Sequence, residues 1–150
     1  MFFVVLCAAV VWLDLKLKKE MDALLRPGEK QPILGGHIIL QKTYNSGFAL
    51  NKLDKKPALV NGIRLVLTLC TAFFFLRELA KGRNGWLKLG LAFILGGALS
   101  NLIEGMQKGH VVDYFSYGKL GKLKNVVFNL GDVAIIKGFV IAFLAELTQK

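Results

Sequence analysis

The sequence holds only two cysteines and two histidines among its 150 residues. Neither His37 nor His110 stands near another histidine or a cysteine in the sequence, so the spacing of a zinc site is missing and no metal is expected. A phosphate-cradling glycine loop, a dinucleotide fingerprint and a Ser-His-Asp arrangement are missing too, and no cofactor is expected. No internal repeat or low-complexity segment interrupts the chain. Acidic residues are also scarce, ten against twenty lysines and arginines, which leaves a net charge of +10. In a soluble protein that excess would point to nucleic acid. Here the basic residues lie between apolar runs and at their ends, with no aromatic-basic platform for bases. Anionic lipid headgroups are therefore the better partner, and no nucleic acid is expected.

What the chain has in quantity is apolar residues, 54% of the total, with a mean hydropathy of +0.49. These residues cluster into runs, the pattern of an integral membrane protein. The expected fold is mainly α: a single polytopic membrane domain over residues 1–150, with four transmembrane helices and a small antiparallel β-cradle at the membrane surface. The spans are placed at about 1–17, 58–76, 86–103 and 130–147. The third is rich in Gly and Ala, and Ala92 and Gly96 form a small-xxx-small pair suited to helix packing in lipid. The run Phe73–Phe75 is expected to face lipid. Both cysteines lie inside apolar runs and are expected to be buried free thiols. Cys7 does not read as a lipid-attachment site, because Leu6 precedes it where a small residue is needed and no positive segment stands before it. The first run is therefore expected to be an anchor and not a cleaved signal.

A surface loop over about 18–57 is expected to carry the cradle. Pro27-Gly28 and Gly35-Gly36 mark turns. His37 to Tyr44 is β-branched and aromatic enough for a strand, and Phe48-Ala49-Leu50 would pair with it after the Asn45-Ser46-Gly47 turn. A second polar stretch, Gly105 to Val127, joins spans three and four, and a short link, Arg77 to Gly85, joins spans two and three. The two longer loops carry more Lys and Arg than the short link, so charge counting places both termini outside the cell.

Ionisable residues at membrane depth are costly and mark chemistry or ion passage by default. Asp113 lies in the apolar segment Val111-Val112-Asp113-Tyr114-Phe115, where a carboxylate needs a partner or a task. Asn129 and Asp132 are three apart where the fourth run begins, and Asn101 and Glu104 repeat that spacing at the end of the third. Both pairs fall at one membrane level where two helices meet. Helix capping by Asn129 or Asp132 accounts for the same residues without chemistry. Asp14 and Lys18 read as an i,i+4 ion pair facing the interface, or as residues that orient a substrate. Lys137 reads as a snorkelling or intrabundle lysine, His110 as an interfacial loop residue, and Arg64 is open to either reading. Two converging carboxylates would share a proton and could cleave a peptide bond. A small transporter or proton relay using Asp14, Asp113, Asp132 and Lys137 is the alternative from another class, and it needs the acids at the midplane. A catalytically idle lipid-binding homologue is the other.

Five segments, in order, resemble motifs of the lipoprotein signal peptidases, the signal peptidase II family. Asp14 and Lys18 resemble its Asp-x-x-x-Lys, and Asn45 to Leu50 resembles Asn-Thr-Gly-Ala-Ala-Phe. Gly96 to Asn101 resembles Gly-Gly-Ala-x-Gly-Asn, Gly109 to Phe115 resembles Gly-x-Val-Val-Asp-Phe, and Phe128 to Asp132 resembles Phe-Asn-x-Ala-Asp. The family's Asn-x-x-Asp-Arg reads Asn101-Leu102-Ile103-Glu104-Gly105 here, keeping a carboxylate and losing the arginine. The resemblance implies an intramembrane aspartic endopeptidase of the bacterial cell membrane. It would remove signal peptides from prolipoproteins ahead of a diacylglyceryl-modified cysteine. It also implies a catalytic dyad of Asp113 and Asp132, with Asp14, Lys18, Asn45, Gly47, Asn101, Glu104, Val112 and Asn129 binding substrate or supporting the dyad. Cytoplasmic termini and an active site toward the outer leaflet are implied as well, against the charge count. The expected partners are the lipidated prolipoprotein and membrane phospholipid, met by a monomer.

Overall fold

A computed structural model describes residues 1–47, 55–82, 84–119 and 121–148. Four helices carry the chain: α1 (Phe2–Leu24), α2 (Pro57–Lys81), α3 (Gly85–Lys108) and α4 (Leu130–Leu147). Local sequence sets their ends. Pro57 stands at the start of α2, where a missing N–H costs nothing. Gly82 and Gly109 close α2 and α3 in the left-handed region at φ 68° and 75°. Asn84 caps α3 by accepting from the Leu87 N–H, and Asn129 caps α4.

The helices overrun most of the expected spans. α1 continues to Leu24, past the expected 17, because the chain stays helical where it becomes charged. α3 likewise runs to Lys108. Among the described residues α2 and α3 are long and apolar enough, by length and composition, to cross a membrane.

α3 is the central helix and packs against each of the other three. Small residues allow the close approach. A Cβ on Gly90 would lie 2.7 Å from the Gly138 carbonyl oxygen and the Ala142 nitrogen of α4. A Cβ on Gly96 would lie 2.8 Å from Cβ of Val10 on α1. Ala92 and Gly96 thus line one seam, as their spacing suggests. Phe75 corrects the expectation for its run: Phe73 and Phe74 point outward, but Phe75 is buried with Cys7, Ala92 and Leu95. Successive helical residues point about 100° apart, so three in a row cannot share the outer face. Cys70 likewise is exposed on the outer side of α2, whereas Cys7 is buried.

The sheet has three antiparallel strands in the order β1 (Lys30–Ile33), β2 (Ile38–Asn45) and β3 (Val111–Tyr117). The β1–β2 connection turns at Gly35 and Gly36, with φ 64° and 79°. β2 matches the expected strand. The expected pairing segment Phe48 to Leu50 lies outside the described residues. β3 instead comes from the second polar stretch, read as a loop, and places Asp113 opposite Thr43 and Val111 opposite Asn45.

Candidate active site

β3 is held from three sides. β2 pairs along one edge. The Phe128 carbonyl accepts from the Tyr114 and Phe115 N–H groups, and the Phe128 N–H donates back to the Phe115 carbonyl. At the strand's start the Val112 N–H donates to Oε2 of Glu104 at 3.1 Å, which ties β3 to the last turn of α3. Asp113 is thereby only 3% exposed. Its Oδ2 accepts from Nδ2 of Asn45 at 3.0 Å and its Oδ1 from Nδ2 of Asn129 at 2.7 Å.

Asn129 joins the two aspartates. Its Oδ1 accepts from the Asp132 N–H at 2.9 Å, and its own N–H donates to Oδ2 of Asp132 at 3.1 Å, a complete capping box. The same side chain donates to Asp113. Capping and the meeting of the carboxylates are therefore one arrangement. Oδ1 of Asp132 accepts from Nδ2 of Asn101 at 3.1 Å. Asp113 and Asp132 line one cavity of about 320 Å³, bordered by Asn45 and Gly47, by Arg64, Leu67 and Thr68 of α2, and by Ala98 and Asn101 of α3. α2 and α4 face each other across it, each packed on α3.

Asp14 and Lys18 do not face the interface. Both are fully buried, with Lys18 Nζ 2.7 Å from Oδ2 of Asp14 and 3.6 Å from Oε2 of Glu104. The pair lies on the α1 face that packs against α3, where Nζ also donates to Oδ1 of Asn101 at 2.6 Å and to Oγ of Ser100 at 3.3 Å. Ser100 Oγ in turn donates to Oδ2 of Asp14 at 2.5 Å. With its oxygen held by Lys18, Asn101 can present only its NH₂ to Asp132.

Burial raises the Asp113 carboxyl from the ordinary carboxylate range to about 7, and the neighbouring Asp132 carboxylate adds to the rise. Donation from Asn45 and Asn129 and the charge of Lys18 oppose it. A carboxyl held there can keep a proton near neutral pH.

Every residue singled out from the motifs falls in this neighbourhood. Val112 is buried beside Glu104, and the Gly47 N–H donates to Oδ1 of Asn45 at 3.1 Å. Lys137 is exposed on the outer side of α4, which excludes the intrabundle placement. His110 rests against Tyr44, ring centroids 4.6 Å apart, at the end of β2. Sequence reading does not single out Ser100 and leaves Arg64 open. The signal for Arg64 was present: a cation well inside an apolar run.

A family model described as signal peptidase (SPase) II matches residues 6–148. The lipoprotein signal peptidase of Moorella thermoacetica is 32% identical over 139 residues, covering 93% of this chain and 88% of that protein. That of Mycolicibacterium smegmatis is 32% identical over 149 residues and covers 93% of this chain. The chain spans 58% of the length of that relative. The fold matches a bacterial membrane enzyme solved by the in meso method at 1.9 Å resolution, with a TM-score of 0.85 and 20% identity over 99% of this chain and 94% of that one. A match that runs through both aspartates and nearly the whole chain shows its kinship: the chain belongs to the signal peptidase II family.

Proposed function

We propose that the chain is an intramembrane aspartic endopeptidase, that Asp113 and Asp132 form its dyad, and that its substrates are prolipoproteins cut ahead of a lipidated cysteine. The observation that carries this reading is Asn129, which hydrogen-bonds both carboxylates at the wall of one cavity. Two carboxylates this close do not both ionise easily, so the pair holds one proton. Asp113, raised to about 7, keeps it and donates to the scissile carbonyl oxygen. Asp132 accepts a proton from water, whose oxygen adds to the carbonyl carbon. The tetrahedral species then collapses as the C–N bond breaks and the amine leaves with a proton from the dyad. Asn101 and Asn45 hold the carboxylates in register.

All four helices are taken to cross the bilayer, as one domain over residues 1–150. α1 and α4 do so with the outward faces formed by Val4, Val5 and Trp12 and by Phe139, Val140 and Phe143, all exposed. Both termini are then cytoplasmic and the dyad sits near the outer leaflet of a bacterial cell membrane. The acids favour this over a proton relay. Asp132 lies in the first turn of α4 and Asp113 on a strand beyond α3, at one end of the bundle and not at mid-depth. The apolar gap between α2 and α4, lined by Leu67, Ile135 and Ile136, suits an acyl chain. Lys55 and Lys56, both exposed, and Lys52, outside the described residues, would attract anionic headgroups beside a monomeric enzyme.

The test is cleavage of a peptide bearing a diacylglyceryl-cysteine, beside its unlipidated twin, in micelles with and without anionic lipid. Mass spectrometry should show a cut only on the amino side of the lipidated cysteine, faster with anionic lipid. The rate should fall as pH rises through about 7 and the shared proton leaves. Neutralising the three lysines should remove the lipid effect. An intact lipidated peptide would refute the reading.

A further inference from the structure

Arg64 lies half-buried in α2, and its hydrogen bonds join that helix to the segment after β2 and, through Asn61, to α3. Nη2 donates to the Gly47 carbonyl at 2.7 Å. Nη1 donates to Oδ1 of Asn61 at 3.1 Å, and Nδ2 of Asn61 donates to the Gly105 carbonyl of α3 at 2.9 Å. Gly105 makes the room. A Cβ there would lie 2.7 Å from Nη1 of Arg64 and 2.8 Å from Oδ1 of Asn61.

From Gly47 the connection reaches the dyad. The Gly47 N–H donates to Oδ1 of Asn45 at 3.1 Å, and Nδ2 of Asn45 donates to Oδ2 of Asp113 at 3.0 Å. With its oxygen engaged, Asn45 must turn its NH₂ to Asp113. Lys18 does the same for Asn101 and Asp132 from the opposite side. The two cations differ in one respect. Lys18 is neutralised locally by Asp14 and Glu104, whereas the acceptors that hold Arg64 are a carbonyl and an amide, both neutral. The positive charge of Arg64 is therefore directed at the carboxylates of the cavity it lines.

We propose that Arg64 is a positioning residue of the peptidase site. It fixes the Asn45–Gly47 turn, through that turn the amide presented to Asp113, and it places a positive charge on the cavity wall in space that Gly105 leaves open. This rests on the peptidase reading above. Among the described residues the charged groups that act on Asp113 are Asp132 from α4, Lys18 from α1 and Arg64 from α2, while Glu104 of α3 acts on Arg64. Of the two cations, Arg64 is the one that can be removed without breaking an ion pair to a buried carboxylate.

Three variants test it beside the parent chain, each in lipid micelles with the lipidated peptide. Arg64→Gln removes the charge. Arg64→Lys keeps the charge without the planar fork. Arg64→Leu with Gly105→Arg brings a guanidinium into the same space from α3. Arg64→Gln should lower kcat about 10- to 100-fold with a smaller change in KM. It should also move the acid limb of the pH–rate profile up by about half a pH unit, since a lost cation makes the dyad harder to ionise. Arg64→Lys should keep the acid limb in place at reduced kcat, and the double variant should regain at least about tenfold of the loss. Should Arg64→Gln fail to fold, the other two decide on these outcomes.

Parent-like kcat and acid limb in Arg64→Gln would overturn the proposal. So would a loss of rate with no movement of the limb and no recovery in the double variant, the signature of a purely structural brace. If the parent chain itself leaves the peptide intact, the peptidase reading fails. Arg64 is then judged by ¹³C titration of the Asp113 carboxyl. A higher midpoint in Arg64→Gln upholds its role and an unchanged midpoint overturns it.

Discussion

Asp113→Asn and Asp132→Asn should each lower the cleavage rate of a lipidated peptide by at least about 10³-fold while leaving a folded protein. The geometry gives both halves of that expectation. An amide can neither take the proton from water nor supply one to the carbonyl, so each exchange removes one of two indispensable proton transfers. Folding survives because asparagine keeps the shape. At position 132 an amide oxygen can still accept from the Asn129 N–H, so the start of α4 keeps its cap and only the bond from Asn101 is lost. At position 113 the amide accepts from one of Asn45 and Asn129 and loses the other, at a cost of about 1 kcal/mol. The double variant should be no slower than either single one, because a dyad fails as a unit. Rates from mass-resolved product, with circular dichroism on each variant, settle the matter. A single variant retaining more than about a tenth of the parent rate would refute the assignment.

Lys18→Met should be the most damaging single change for stability, by about 3–5 kcal/mol. Lys18 is fully buried and sits between two carboxylates, at 2.7 Å from Asp14 and 3.6 Å from Glu104. Its removal strands a buried negative charge on Asp14, whose Oδ1 already has no hydrogen-bond partner among the described residues. Glu104 is better protected, since Lys108 pairs with it at 3.0 Å. Asp14→Asn combined with Lys18→Met should therefore recover at least half of the lost stability, because it removes the stranded charge together with its partner. Thermal unfolding in detergent measures both. A parent-like midpoint for Lys18→Met would mean that the pair is not buried as described.

Much of this could be read in the chain before the fold. The apolar runs located all four helices, and a cap at Asn129 or Asp132, a local signal, marked the start of α4, where Asn129 proves to be the N-cap. The pairs Asn101–Glu104 and Asn129–Asp132 pointed to one level where helices meet, and Asp113 stood out as a carboxylate among Val, Tyr and Phe. What stayed hidden depends on distant partners. β3 lies in a stretch between helices, and its hydrophobic side chains are covered on both faces. It therefore lacks the alternation that marks a half-buried strand, and its partner β2 is some seventy residues away. The burial of Asp14 and Lys18 depends on Ser100 and Asn101 of another helix, while their own i,i+4 spacing suits a solvated surface equally well. Arg64 is the clearest case. Asn61, one turn earlier, holds one of its nitrogens, but the role proposed for it depends on Gly47 and Gly105, brought beside it by packing.

The central claim is that the carboxyl groups of Asp113 and Asp132 hold one proton between them. The most direct test is a ¹³C titration of both labelled carboxyls in the parent chain and in Asp132→Asn. The account predicts two interacting steps in the parent, one of them near 7, and a single lower step for Asp113 once its neighbour cannot ionise. Two independent steps in the ordinary carboxylate range, unchanged for Asp113 in the variant, would contradict it.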